Sequence, residues 1–144
     1  MTNEVERTRL LADLNIRLSE SPVTILLGAR QTGKTTLARM AARKRDIVRF
    51  FDLEVAADRT ALAATPEKIL SEITGLVVLD EVQRVPSLFE ILRPLADRPD
   101  MPARFLLLGS ASPDLVRTTS ETLAGRALVL DFNINRVISK ERSD

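Results

Sequence analysis

The chain has no cysteine, which excludes disulfides and thiolate metal sites. It has no histidine either, so the commonest general base at neutral pH and the usual zinc ligand are both missing. Acid–base chemistry must fall to carboxylates, Lys or Arg. Trp and Tyr are absent, and the five Phe are too few to furnish a stacking platform for single-stranded nucleic acid. An excess of one charge is lacking as well. With 21 basic and 20 acidic residues the formal charge is +1, so net charge supports neither a nucleic-acid nor a membrane partner. No apolar run approaches the roughly 18 residues of a membrane span. The first residues, Met1 to Glu6, are acidic and carry no apolar signal-peptide core. These absences lead to the expectation of a soluble cytoplasmic protein. Its 144 residues suffice for one domain with a hydrophobic core.

Glycine is scarce too. There are five, and two of them fall in Gly28-Ala29-Arg30-Gln31-Thr32-Gly33-Lys34-Thr35. This is G-x-x-x-x-G-K-[ST], the phosphate-binding P-loop. It follows the apolar run Val23–Leu27 and opens a helix-like segment from Thr35 to Arg45, the strand–loop–helix setting that the motif requires. A second motif stands some fifty residues on. Leu76-Val77-Val78-Leu79 ends in Asp80-Glu81, a Walker B pattern in which a buried strand delivers two carboxylates to its C-terminal end.

Elsewhere the pattern alternates. Leu10, Leu11, Leu14 and Leu18 recur at helical spacing and predict a helix over 3–18, broken by Ser21-Pro22. The helix after the P-loop is predicted to bury Leu37, Met40 and Ala41. Strands are predicted at 23–27, 47–52, 76–79, 103–108 and 127–130. Between them, helices are predicted over about 54–63, from Thr65-Pro66 to Gly75, from Ser87 through a capping box with Glu90, and from Ser112-Pro113 to about Leu123. Pro94 is expected to kink or end its helix. Strands alternating with helices predict an α/β fold with a parallel sheet covered on both faces. Residues 1–132 read as the folded core. Residues 133–144 read as a polar, weakly structured tail.

The residue types explain the chemistry. The backbone N–H groups of residues 28–36 (Gly28 to Thr36) would cradle phosphates, aided by the positive end of the following helix. Lys34 would reach the β- and γ-phosphates. Thr35 and Asp80 would hold Mg²⁺, and Glu81 would orient and deprotonate an attacking water. Gln83 could line the site beside Glu81, or simply sit in a solvated loop. Arg43-Lys44-Arg45 reads as a solvated helix end.

GARQTGKTTLA, RFFDLE, LVVLDEVQRVPSLFEILRPLAD, RFLLLGSASPDLV and ETLAGRA together resemble a prokaryotic family of AAA+-like P-loop ATPases, over roughly residues 7–131. The resemblance implies a three-layer αβα, Rossmann-like P-loop NTPase with five strands in the order 5-1-4-3-2, and Mg-ATP as ligand. It also implies that Ser110, after the fourth strand, touches the γ-phosphate or the water as a sensor. The alternative is that Ser110 only makes a turn and Ser112 only caps a helix. Arg126 is implied as an arginine finger acting on a neighbouring subunit or within its own chain, against a plain packing role, with Arg117 and Arg30 as lesser candidates. Family members usually continue into a C-terminal domain, so the chain is expected to be a truncated ATPase core. Three functions follow: an ATPase, a non-enzymatic nucleotide-binding switch, or a P-loop phosphotransferase. Glu81, suited to activating water rather than an acceptor hydroxyl, argues against the third. A homo-oligomer or a protein partner is expected. A guanine signature is missing, and the sequence supports neither a membrane nor a nucleic-acid partner.

Overall fold

The computed structural model describes residues 4–29 and 33–132. Along the chain run α1 (Glu4–Glu20), β1 (Val23–Leu27), α2 (Lys34–Ala42), β2 (Val48–Asp52), α3 (Ala56–Ala64), α4 (Pro66–Glu72), β3 (Gly75–Asp80), a 3₁₀ turn (Val82–Arg84), α5 (Leu88–Ala96), β4 (Ala103–Gly109), α6 (Pro113–Thr122) and β5 (Ala127–Asp131). The strands form one sheet in the order β2-β3-β4-β1-β5, and every pairing is parallel. Read from the other edge this is 5-1-4-3-2, the expected order. Residues 133–144 and Asn3, where the first helix was expected to begin, lie outside the described residues.

Alternation along each strand sends side chains to two separate cores. On one face, Leu26, Val78, Leu106 and Leu108 pack with Leu10, Leu14 and Leu18 of α1 and Leu37, Ala38 and Ala41 of α2. On the other, Ile25, Val77, Leu79, Phe105 and Leu107 meet Leu62 of α3, Leu70 of α4, Leu88, Phe89 and Leu92 of α5, and Leu115 of α6. The central strands are apolar on both faces because helices cover both. This is the three-layer αβα arrangement that continuous apolar runs predict. A fully buried Leu or Phe here contributes about 1.5–3 kcal/mol relative to exposure.

Four local expectations are corrected. Gly75 does not end a helix. α4 stops at Glu72, and Gly75 opens β3, its N–H bonded to Pro102 O at 3.0 Å. Its φ of +85° lies in the left-handed region, and a Cβ would stand 2.5 Å from Ile47 O, so only glycine fits there. Ser87 forms no capping box. Its backbone is already helical (φ −62°, ψ −17°), and Leu88 N and Phe89 N are taken by Val85 O and Pro86 O. Of the two outcomes expected at Pro94, a kink or an end, the end does not occur, since α5 continues to Ala96. Pro94 and Glu90 are both exposed, on the face of α5 turned from the core, while Leu92 and Ala96 stay buried and hold the last turn. Met40 is only half-buried, and Ala38 takes its place in the core. Ser112, by contrast, caps α6 by accepting from Leu115 N at 3.1 Å.

Candidate nucleotide site at the carboxyl edge of the sheet

Parallel pairing brings the C-terminal ends of the strands to one edge. Leu27 lies beside Gly109, Asp80 beside Leu108, and Asp52 beside Asp80. Gly28 N extends the β1–β4 ladder by one bond to Gly109 O, at 3.1 Å. The P-loop therefore leaves the sheet tethered next to the turn that carries Ser110. Gly33 closes the loop with φ +99° and ψ 13°, and its carbonyl accepts the first α2 bond from Leu37 N at 2.9 Å. Arg30, Gln31 and Thr32 lie outside the described residues.

Lys34 is the first residue of α2 and only 4% exposed. Its Nζ donates to Gly28 O at 2.9 Å and Ala29 O at 3.1 Å, so the ammonium is held across the start of the loop. Thr35 Oγ1 donates to Asp80 Oδ2 at 2.9 Å, which joins the P-loop helix to the end of β3. The neighbouring Thr36 is exposed.

Asp80 is 6% exposed, and its Oδ1 is buried with no hydrogen-bond partner. Burial pushes its carboxyl above the usual range, and the nearby Glu81 and Asp52 charges push the same way. The Thr35 hydroxyl and the Glu81 N–H pull against them. An ion pairing with Asp80 would remove both the repulsion and the orphaned oxygen. The donors gathered here, a hydroxyl and a carboxylate, are hard oxygens that suit Mg²⁺. Among the described residues no group of three or more His, Cys, Asp or Glu could hold a metal by itself. Mg²⁺ takes one or two protein ligands and completes its shell with waters and phosphate oxygens. The residues present fit the metal.

Glu81 follows directly and has φ +58°, ψ 49°, a left-handed backbone that a non-glycine residue adopts at a cost. This turn directs its carboxylate away from the path of β3. Gln83 Nε2 donates to Glu81 Oε2 at 2.5 Å and to Ser110 Oγ at 3.1 Å. Glu81, Gln83 and Ser110 are thus joined at the ends of two adjacent strands. Gly109 makes the room, because a Cβ there would come within 2.9 Å of Gln83 Oε1 and 2.5 Å of Leu115 Cδ2.

The structure gathers Gly28, Ala29, Gly33, Lys34, Thr35, Asp80, Glu81 and Ser110 at one edge, with Gln83 among them. It does not bring Arg126 there. Arg126 precedes β5 and so stands at the opposite edge, a strand length of roughly 13 Å from the carboxyl end. Its guanidinium is paired with both oxygens of Asp97, at 2.8 and 3.1 Å. That hydrogen bond holds the Asp97 carboxyl below its ordinary range. Arg117 sits in the second turn of α6 and pairs with Asp114 in an exposed position. Two contributors were weakly marked or unmarked in the sequence. Gln83 had no sharper signal than its place two residues after Glu81, and Gly109 showed nothing to separate it from a turn glycine.

Among the described residues no helix is long and apolar enough to cross a membrane. A family model described as an AAA domain matches residues 20–136. Two uncharacterised proteins, from Mycobacterium bovis and Mycobacterium tuberculosis, are each 49% identical over 129 residues, 90% of this chain. The chain spans 29% of the length of these curated relatives. Among solved structures, the P-loop NTPase domain of the Sigma-54 transport activator from E. coli superposes with a TM-score of 0.50 at 17% identity, covering 85% of this chain and 94% of that one. That likeness is one of fold. With both phosphate-site motifs set at the carboxyl edge of a P-loop NTPase sheet, the chain belongs to the AAA domain family and carries its nucleotide-binding core.

Proposed function

We propose that this core binds Mg-ATP and hydrolyses it to ADP and phosphate. The observation that carries the reading is the arrangement Lys34–Thr35–Asp80–Glu81. A buried ammonium, a hydroxyl bonded to a carboxylate, and a second carboxylate lie at the N-terminal end of one helix and the carboxyl end of one strand, β3. Lys34 exchanges its two loop carbonyls for phosphate oxygens. Thr35 and Asp80 would hold Mg²⁺, which would supply neutralisation of the phosphate charge. Glu81 accepts a proton from the water whose oxygen forms the new bond to the γ-phosphorus, as the bond to the β,γ-bridging oxygen breaks and leaves with ADP. Ser110, tied to Glu81 through Gln83, faces the same reaction centre. Arg126 has no route to this centre within its own chain, so a finger role for it is one between subunits and requires release from Asp97. The preference for ATP over GTP rests on the family alone, as does a cytoplasmic setting with a homo-oligomer or a protein partner. Residues 1–132 form the catalytic unit of this reading.

Phosphate release by the purified chain with Mg-ATP tests the reading, at protein concentrations from nanomolar to tens of micromolar so that oligomers are sampled. Turnover that needs Mg²⁺ and falls about 10²–10³-fold in Glu81→Gln supports it. Binding without turnover at any concentration favours the second reading, a nucleotide-binding switch. Transfer of labelled phosphate to an acceptor other than water would instead mark a phosphotransferase.

A further inference from the structure

We infer that Gln83 is the positioning residue of Glu81, fixing which carboxylate oxygen is presented to the attacking water. The inference rests on the hydrolysis reading above. A glutamate at the end of a strand has three side-chain torsions and little to hold them, and Glu81 is only half-buried. Yet general-base catalysis needs its acceptor oxygen within hydrogen-bond reach of the water, and a displacement of 1 Å can cost on the order of 100-fold. Gln83 supplies the constraint. One amide nitrogen places its two hydrogens on Glu81 Oε2 and Ser110 Oγ, 2.5 and 3.1 Å away. The first residue follows β3 and the second follows β4, so the amide spans the ends of neighbouring strands and inherits their rigidity.

The amide has one sensible orientation, since turning it over would set Oε1 against the Glu81 carboxylate. That orientation leaves Oε1 buried without a partner, which lowers stability. The oxygen sits in a slot that exists because residue 109 has no side chain. Stability alone would select against both features. A glutamine that leaves its oxygen unpaired so as to place both hydrogens on Glu81 and Ser110 is explained by what those hydrogens hold. With Glu81 Oε2 engaged, Oε1 is the oxygen left to take the proton. The neutral amide fixes the carboxylate without supplying a counter-charge.

Steady-state Mg-ATPase kinetics, affinity for a fluorescent ATP analogue and thermal melting test this on wild type, Gln83→Ala, Gln83→Asn and Gly109→Ala. In Gln83→Ala, kcat should fall about 10–100-fold while KM and ATP affinity stay within about twofold and the melting temperature holds. Gln83→Asn keeps the amide but loses the reach, and should show the same split if Gln83→Ala folds poorly. Gly109→Ala should lower kcat by displacing Gln83, and should lower it no further in a Gln83→Ala background. An unchanged kcat in Gln83→Ala, or a loss confined to ATP affinity, overturns the inference and leaves the hydrolysis reading standing. A folded wild type that binds ATP but never turns it over overturns both.

Discussion

The two edges of this sheet are built from the same strands and treat polar groups in opposite ways. At the amino edge they are paired. Ser21 Oγ donates to Val23 O and Arg126 O, Arg104 Nη1 donates to Leu18 O and Ser21 O, and Arg126 grips Asp97 with two bonds. Arg104 thereby satisfies a carbonyl in the last turn of α1, a position that otherwise lacks a donor. Two groups are exceptions: Thr24 Oγ1, near the start of β1, is buried without a partner, and so is one Arg98 nitrogen, although its neighbours bond Leu95 O and Ser71 O. At the carboxyl edge, polar groups are held short of satisfaction. Asp80 Oδ1 and Gln83 Oε1 are orphaned, Glu81 is in a left-handed conformation, and Lys34 is held by loop carbonyls. The bonded groups at the amino edge serve the fold, whereas at the carboxyl edge Asp80 Oδ1 and the Lys34 ammonium are placed to take a ligand. The contrast predicts a double dissociation. Substitutions at the amino edge should lower stability and leave nucleotide binding alone, and those at the carboxyl edge should impair binding or turnover without lowering stability.

The largest expected effect is from Lys34→Ala. Affinity for ATP should fall more than about 100-fold, because a buried ammonium bonded to phosphate is lost, while the melting temperature stays close to wild type. Calorimetric titration with ATP and a thermal melt give both numbers. Binding that survives would break the assignment of the P-loop itself. Arg104→Ala should do the opposite. Losing charged hydrogen bonds to two carbonyls should destabilise the protein by about 1–3 kcal/mol in a denaturant titration, with ATP affinity unchanged.

Asp80→Asn sharpens the contrast. The raised carboxyl pKa means that folding favours the protonated form. The corresponding stability is full below the ordinary value of 3.8 and is lost as pH rises through the higher folded value. At neutral pH the nucleotide-free protein therefore carries a buried charge at a penalty. Asn should raise its melting temperature there, with the gain shrinking toward acid pH, and should remove the Mg²⁺-dependent part of ATP affinity. A lower melting temperature at neutral pH would contradict the account of this edge. Smallest is Glu81→Gly. A glycine at φ +58° relieves the backbone, and stability should rise by about 0.4–1 kcal/mol although turnover is lost.

Much of the fold was legible before the structure. Val23–Leu27 and Leu76–Leu79 are continuous apolar runs between turn signals, and burial on both faces leaves no other pattern. The carboxylates after β3 and the loop after β1 were legible because parallel strands bring their carboxyl ends together. What stayed hidden depended on neighbours distant in sequence. Ser87 had the spacing of a capping box, but the chain is already helical at Ser87, with the turn begun by Val85 and Pro86, and its side chain makes no cap bond. Gly75 looked like a helix stop because the backbone of Ile47, which forbids a Cβ there, is 28 residues away. Arg126 resembled a finger by position along the chain, and only the sheet shows that it stands at the wrong edge for its own loop. Gln83 was seen as a neighbour of Glu81. Its bond to Ser110 required β3 and β4 side by side.

The most direct test of the central claim is phosphate release from Mg-ATP by wild type and Glu81→Gln, with ATP affinity measured on both. The account predicts turnover by wild type, a loss of about 10²–10³-fold in the variant, and equal affinities. Equal turnover in the two proteins, or none in a wild type that binds ATP, would contradict it.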